Sequence, residues 1–315
     1  MKIAAQMDEI SNIDFKTDST FAILLAAQNQ GHDIFYYLPS TLSYDFSKNH
    51  LEADVKKISL QPEINNHYTI ISQQQTNLND FDVILLRQDP PFNMNYITTT
   101  YLLEKISDKV LVLNNPLEVR NCPEKWMVSL FSDLTPPTLF SQDIKRIKEF
   151  YDFHGDIILK PFYGNGGEGI VFMKKGDPNF SSILEMMVSH YDGLIIAQKF
   201  LPEVSKGDKR VILLDGEAVG SILRVPSKDE IRSNLHVGGR ANKTKLSIRD
   251  QEICNRLGPE LKKRGLFFVG IDIIGDYVTE INVTSPTGLN EIKKLDNIDL
   301  SKKIIELIEQ KLIND

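Results

Sequence analysis

Val269-Gly-Ile-Asp272-Ile-Ile-Gly-Asp-Tyr-Val-Thr-Glu280-Ile-Asn282-Val-Thr284 reads as a β-hairpin with one acidic face. Strand alternation puts Glu280, Asn282 and Thr284 on one side and turns Ile281 and Val283 to the other. A three-residue connection, Gly275-Asp276-Tyr277, would set Asp272 opposite Glu280 on that same side; a two-residue turn would shift the register and separate them. Like charges facing each other across a ladder are destabilising without a cation. Two carboxylates and an amide oxygen suit a hard ion such as Mg²⁺, which bridges protein carboxylates to nucleotide phosphates. Asp272, Glu280 and Asn282 are therefore the candidate metal ligands, and Asp276 is a turn residue.

Upstream, Gly164-Asn-Gly166-Gly167-Glu-Gly169 lies between two apolar strand-like runs. Its glycines let backbone amides approach phosphate oxygens. No Gly-Lys-Ser/Thr follows and no helix opens there, so it is neither a Walker loop nor a good dinucleotide turn. Lys160 ends the run Ile157-Ile-Leu159 and must reach solvent or meet an anion, because an unpaired buried ammonium is costly. Between loop and hairpin, Asp208-Lys-Arg210, Arg224, Arg232 and Arg240 surround a polar stretch from Pro226 to Thr244. Guanidinium groups hold carboxylates or phosphates in bidentate fashion. With Asn234 and Gly238-Gly239, this stretch reads as a long loop that covers an anionic substrate.

Outward from these motifs the chain divides into three. In residues 1–120, strands from Lys2, Asp33, Val83 and Val110 alternate with helices at Ser19–Gln30 and Tyr96–Lys105, which predicts a parallel sheet covered on both faces. Leu86-Arg87-Gln-Asp-Pro-Pro-Phe92 leaves that sheet at a strand's carboxyl end, where open α/β sheets bind ligands. Arg87 faces either a ligand carboxylate or a structural ion pair. Residues 121–201 form a small α+β unit holding the glycine loop, and residues 202–315 carry the hairpin and the covering loop at 226–240.

The bulk properties fit an enzyme. At 315 residues and 35.8 kDa the chain supports two or three lobes, each with a core. A net charge of −7 argues against a nucleic-acid partner. The two cysteines, Cys122 and Cys254, offer no metal or disulfide framework. The amino-terminal residues form neither a signal peptide nor a membrane span, which predicts a cytoplasmic protein.

In order, these segments resemble the bacterial glutathione synthetases over essentially the whole chain. The matching pieces are Lys16-Thr-Asp-Ser-Thr20, Leu86-Arg-Gln-Asp-Pro-Pro-Phe92, Arg120-Asn-Cys-Pro-Glu-Lys125 and Ile158-Leu-Lys-Pro161 with its glycine loop. They continue through Gln198-Lys-Phe-Leu-Pro202, Gly207-Asp-Lys-Arg210, Arg232-Ser-Asn234, Gly238-Gly-Arg240 and Thr279-Glu-Ile-Asn-Val-Thr-Ser-Pro-Thr287. The resemblance implies an ATP-grasp fold, α/β and α+β, with ATP between two antiparallel sheets and a parallel-sheet lobe at the N-terminus. It implies that Lys125 and Lys160 contact phosphates, that Gln198 to Leu201 hold adenine, and that Asp208 seats the nucleotide. Arg210 becomes the catalytic candidate. Arg87, Arg224, Arg232, Asn234, Gly239, Ser285, Pro286 and Thr287 would serve the substrates. The implied reaction joins γ-glutamylcysteine to glycine with ATP and Mg²⁺, Mn²⁺ being a possible substitute, in a homo-oligomer. Two positions differ from the common family pattern: Phe162-Tyr163 stands where Leu-Asp is frequent, and Gln88 where Lys is frequent. The rival readings are an ATP-grasp ligase with another acceptor and an ATP-binding module without turnover.

Overall fold

The structure is a computed structural model that describes residues 1–191, 193–228, 230, 232–235 and 238–314. Three sheets organise it. The first has seven strands: β1 (Lys2–Gln6), β2 (Asp33–Tyr37), β3 (Ser43–Asp45), β4 (His50–Leu60), β5 (Tyr68–Asn77), β6 (Val83–Leu86) and β7 (Leu111–Leu113). Only β2-β1-β6-β7 are parallel. β3, β4 and β5 extend the sheet in antiparallel fashion, so the expected all-parallel sheet is a mixed one. The missed hairpin has a physical explanation. β4 alternates clearly, burying Leu51, Ala53, Val55, Ile58 and Leu60, but β5 is exposed along most of its length and carries no apolar period.

Helix α1 (Ser19–Asn29) begins where Asp18 accepts from the Phe21 amide and stops at Gly31, whose positive φ of 85° closes the helix end. It packs its buried Phe21, Ile23 and Leu24 with Ile3 and Ala5 of β1 and with Ile304, Ile305 and Ile308 of the last helix, α8 (Leu300–Asn314). The chain's two ends thus meet in one core. Helices α2 (Met94–Glu104) and α3 (Pro116–Asn121) follow β6 and β7.

The second sheet is antiparallel, in the order β10-β9-β11-β8. It comprises β8 (Thr138–Ser141), β9 (Ile157–Pro161), β10 (Val171–Met173) and β11 (Ile195–Lys199), covered by α4 (Ile144–His154) and α5 (Phe180–His190). The third sheet, also antiparallel, runs β14-β13-β12-β15-β16. Its strands are β12 (Asp208–Leu214), β13 (Glu217–Val225), β14 (Arg240–Lys243), β15 (Phe268–Ile274) and β16 (Tyr277–Asn282), with α6 (Ile248–Lys263) and α7 (Leu289–Asp296) beside it. β14 lies inside the stretch expected to be one long loop. Arg-Ala-Asn-Lys has a single apolar residue, so this edge strand gives no alternation to read. Residues 229, 231, 236 and 237 of the expected covering loop lie outside the described residues.

Apolar burial joins these sheets unequally. Ala4 and Leu86 of the first sheet share a core with Val211, Val269 and Ile281 of the third. The second sheet keeps a separate core around Ile147, Leu159, Leu184 and Ile195. Asn114, buried just after β7, pins the first sheet to the third: its Nδ2 donates to Phe268 O at 2.9 Å and Val283 O at 2.8 Å, and its Oδ1 accepts from Phe268 N at 2.8 Å. Replacing Asn114 by Ala leaves those backbone groups unpaired in the interior. A loss of about 2–4 kcal/mol in unfolding free energy is expected, read as a lower urea midpoint.

Candidate active site

The acidic hairpin folds by a route that combines both expected alternatives. Its turn is the two-residue one, Gly275-Asp276, since Ile274 pairs with Tyr277. A bulge then intervenes between Asp272 and Ile273, absorbing Thr279 and restoring Asp272 opposite Glu280. Thr279 Oγ1 donates to Asp272 O at 3.2 Å beside the bulge.

Across the next ladder Arg210 pairs with Asp272, and beyond it Asp208 pairs with Arg224. Arg210 holds Asp272 in a fork, with Nε to Oδ1 at 2.5 Å and Nη2 to Oδ2 at 3.0 Å. Arg224 donates from Nε to Asp208 at 2.5 Å and places Nη2 2.9 Å from Asp272 Oδ1. Gly270 makes room for the fork, because a Cβ there would lie 3.1 Å from Arg210 Cδ. Burial opposes ionisation of Asp272, yet Arg210 and Arg224 hold its carboxyl at about 2. Asp208, equally enclosed, is pushed up by burial against the pull of Arg224. Asn282 spends Nδ2 on Gly270 O and Asp272 Oδ2, which leaves Oδ1 as its remaining oxygen.

Two lysines face this sheet from the other side of a cleft. Lys160, 5% exposed on β9, brings Nζ within 3.5 Å of Glu280 Oε1, so the ammonium buried in an apolar strand has its anion. Lys125 gives two hydrogen bonds, to Pro161 O at the end of β9 at 3.0 Å and to Gly164 O of the glycine loop at 2.7 Å, and burial lowers its pKa. One N–H of three remains. The neighbouring Glu124 accepts from Thr284 Oγ1, and its backbone oxygen accepts from Ile281 N at 3.1 Å. Burial and the facing Glu280 raise the Glu124 carboxyl to about 7.

These groups line one cavity of 850 Å³ between the second and third sheets, closed at one end by the first-sheet lobe. Every site residue expected from the sequence lines it except Gly239. Gly239 backs the covering segment instead: a Cβ there would fall 2.1 Å from Ser233 O. That segment reaches the glycine loop, with Arg232 Nη1 donating to Gly167 O at 3.2 Å. Gly167, at φ 86°, is pressed so closely that a Cβ would meet Asn234 Oδ1 at 2.9 Å. Ser233 donates to Asp208 from the same segment. Gln198 donates to Thr138 Oγ1 at 2.9 Å, leaving its oxygen and the following residues to Leu201 along the cavity wall.

At the far end, Arg87 donates to Thr20 Oγ1 at 2.9 Å and Pro286 O at 3.1 Å. These are neutral partners and not the ion pair that is one expectation for Arg87, and its Nη1, buried, has no hydrogen-bond partner among the described residues. Ser285 Oγ donates to Gln88 O at 2.7 Å. The Gln88 side chain bonds Gln6 and Thr99 and does not line the cavity, so Gln in place of Lys here alters the lobe's interior.

Comparison with known proteins decides among the ligases this cavity fits. The model of the prokaryotic glutathione synthetase N-terminal domain matches residues 1–120, and that of the prokaryotic glutathione synthetase ATP-grasp domain matches residues 124–297. The chain belongs to the prokaryotic glutathione synthetases. A glutathione synthetase of Agrobacterium fabrum is 50% identical over 98% of this chain and 96% of its own length. One of Vibrio cholerae is 42% identical over 99% of this chain and 98% of its own length. Among solved structures, D-cycloserine synthetase shares the fold with a TM-score of 0.70 at 12% identity, over 98% of this chain and 99% of that one. A Chryseobacterium gregarium RiPP-associated ATP-grasp ligase in complex with ADP and a leader and core peptide has a TM-score of 0.66 at 16% identity, over 99% and 97%. The chain is thus an ATP-grasp enzyme that makes glutathione at the expense of ATP, acting on small molecules. No helix among the described residues is long and apolar enough to cross a membrane.

Motif reading gave Glu124 and Ser233 no role and Thr284 only a place on the acidic face; their signal is tertiary, since each becomes prominent by meeting Glu280, Asp208 or Glu124 across the fold. The ion pairs set a stability expectation. Asp272→Asn leaves the buried Arg210 without a counter-charge and takes from Arg224 one of its two carboxylate partners, and should cost about 3 kcal/mol near neutral pH, read by chemical denaturation. Because the folded pKa of about 2 lies below the ordinary 3.8, the wild-type advantage is complete above 3.8 and fades as pH falls toward 2. The gap between the two proteins should close over that window.

Proposed function

We propose that the cavity joins γ-glutamylcysteine to glycine through an acyl phosphate. A carboxylate is a poor electrophile; transfer of the γ-phosphoryl group of ATP to the cysteinyl carboxylate makes phosphate the leaving group, and the glycine amine then displaces it. Lys160 and the remaining donor of Lys125 hold the transferring phosphate, with the amides of Gly164, Gly166 and Gly167 beside them. The wall from Gln198 to Leu201 holds adenine, and Asp208 seats the nucleotide by fixing Arg224 and Ser233. Arg210 stabilises charge on the carboxyl and acyl groups in both steps. Arg87, with its unpartnered Nη1, and Ser285 to Thr287 bind the peptide substrate, while Arg224 lies between it and the nucleotide. The segment 226–240 excludes water that would hydrolyse the acyl phosphate.

The observation that carries the metal assignment is charge balance. Asp208, Asp272 and Glu280 are already paired with Arg224, Arg210 and Lys160, so these three cations bring little uncompensated charge to an entering polyanion. Among the described residues no three His, Cys, Asp or Glu form a metal site alone; Glu280 and the Asn282 oxygen would hold Mg²⁺, or Mn²⁺ in its place, and Asp272, whose two oxygens each already meet two donors, would join them by exchanging one of those bonds. Bound there, the ion would neutralise phosphate charge. The buried free cysteines suit a cytoplasmic setting.

ADP release from purified protein with ATP and Mg²⁺ should require both γ-glutamylcysteine and glycine, with glutathione detected by mass. ADP formation with a different acceptor only would reject the substrate assignment, and ATP binding without turnover would favour the binding-module alternative. Glu280→Gln should keep the fold and lower kcat by roughly 100-fold or more. Near-normal turnover with unchanged Mg²⁺ dependence would remove Glu280 from the chemistry.

A further inference from the structure

Phe162-Tyr163, the pair at the entrance to the glycine loop, has a definite place. The Tyr163 ring stacks on Phe92, with centroids 6.3 Å apart and planes 19° from parallel. Phe92 leans in turn on Tyr96, a fully buried anchor of the first lobe, at 5.3 Å. On the other side Tyr163 meets Phe162 at 4.8 Å, Phe162 meets Phe140 at 5.5 Å, and Phe140 meets Trp126 at 6.1 Å. A continuous file of rings thus runs from the core of the first lobe into the second sheet. Neither Phe92 nor Tyr163 lines the cavity, yet Pro90 and Gly164, which lie close to them in sequence, do.

The second sheet has its own apolar core, so its position over the cavity depends on contacts such as Lys125 to Gly164, Lys160 to Glu280 and Arg232 to Gly167. All three involve groups assigned to phosphate or substrate binding. The Phe92–Tyr163 stack is an apolar addition to that set at the glycine loop, as the Trp126–Phe140 contact is at β8. We propose that Tyr163 is a positioning residue: by stacking on Phe92 it clasps the glycine loop to the first lobe, closing the rim where γ-phosphate and peptide carboxylate meet. The inference rests on the acyl phosphate reading. Its chemical consequence is coupling. When the rim opens, water adds to the acyl carbon, the bond to phosphate breaks, and carboxylate, inorganic phosphate and a proton are released without a peptide bond.

Tyr163→Ala should therefore raise the ratio of ADP released to glutathione formed, and raise the apparent KM for ATP roughly threefold to tenfold, the range expected from losing one aromatic pair. Tyr163→Phe, which keeps the stack, should restore both. Phe92→Ala should reproduce the defect, and the double variant should add little to it. Independently of turnover, backbone hydrogen exchange across 162–169 should quicken in Phe92→Ala. Unchanged exchange, or an ADP-to-glutathione ratio that stays at the wild-type value in Tyr163→Ala, would overturn the clasp while leaving the ligase assignment intact. Wild-type protein that forms no glutathione would overturn the ligation reading, and the exchange measurement would then decide the clasp alone.

Discussion

Pairing of buried charge governs this structure. Asp208, Arg210, Arg224 and Asp272 sit on adjacent strands of one sheet, each nearly removed from solvent. Such a set is tolerable only when every member has its counter-charge at hydrogen-bonding distance, since a lone buried ion costs several kcal/mol. The requirement bears on its surroundings: the bulge at Thr279 returns Asp272 to its register, and the small residue at Gly270 leaves room for Arg210. It also means that the site's electrostatics are set before any ligand arrives. Preorganisation of this kind lowers the reorganisation needed during reaction, which is where electrostatic catalysis gains most.

A second constraint comes from the uneven distribution of apolar contact. The first and third sheets share a core and behave as one body in packing terms, while the second sheet is self-contained. Polar, ionic and aromatic contacts around the cavity then set the placement of that second unit. Lys125 is central here, because it ties the end of β9 and the glycine loop by one bond each while its neighbour Glu124 joins the acidic hairpin through Ile281 and Thr284. Two consecutive residues thus link both walls of the cleft.

Much of this was legible in the sequence where chemistry and periodicity coincide. The acidic hairpin, the glycine loop and Lys160 declare themselves because charged or flexible residues interrupt strand patterns that would otherwise be apolar, and the structure brings them to one cavity. The parallel strands of the first lobe were equally visible as short apolar runs. β5 was not, because Ser72-Gln-Gln-Gln-Thr-Asn77 is solvated and has no period to detect. β14 failed for the same reason. The hairpin register could not be fixed either, since a bulge is decided by what the neighbouring strand presents, here Arg210 opposite Asp272. Glu124 shows the remaining limit: adjacent to a lysine in a short polar segment, it gains its character from Glu280, far along the chain.

The meeting of the first and last helices bears on how the protein is made. Ile3, Ala5, Phe21 and Leu24 are translated at the start, but Ile304, Ile305 and Ile308, which complete their shelter, come from the final fifteen-residue helix. During vectorial synthesis the outer apolar face of α1, which itself covers the first sheet, therefore stays open until residues 300–308 have emerged from the ribosome. A chain halted before α8 leaves that face open, so the nascent protein remains exposed to chaperones and proteases at the stage when the residues lining the cavity have all been made.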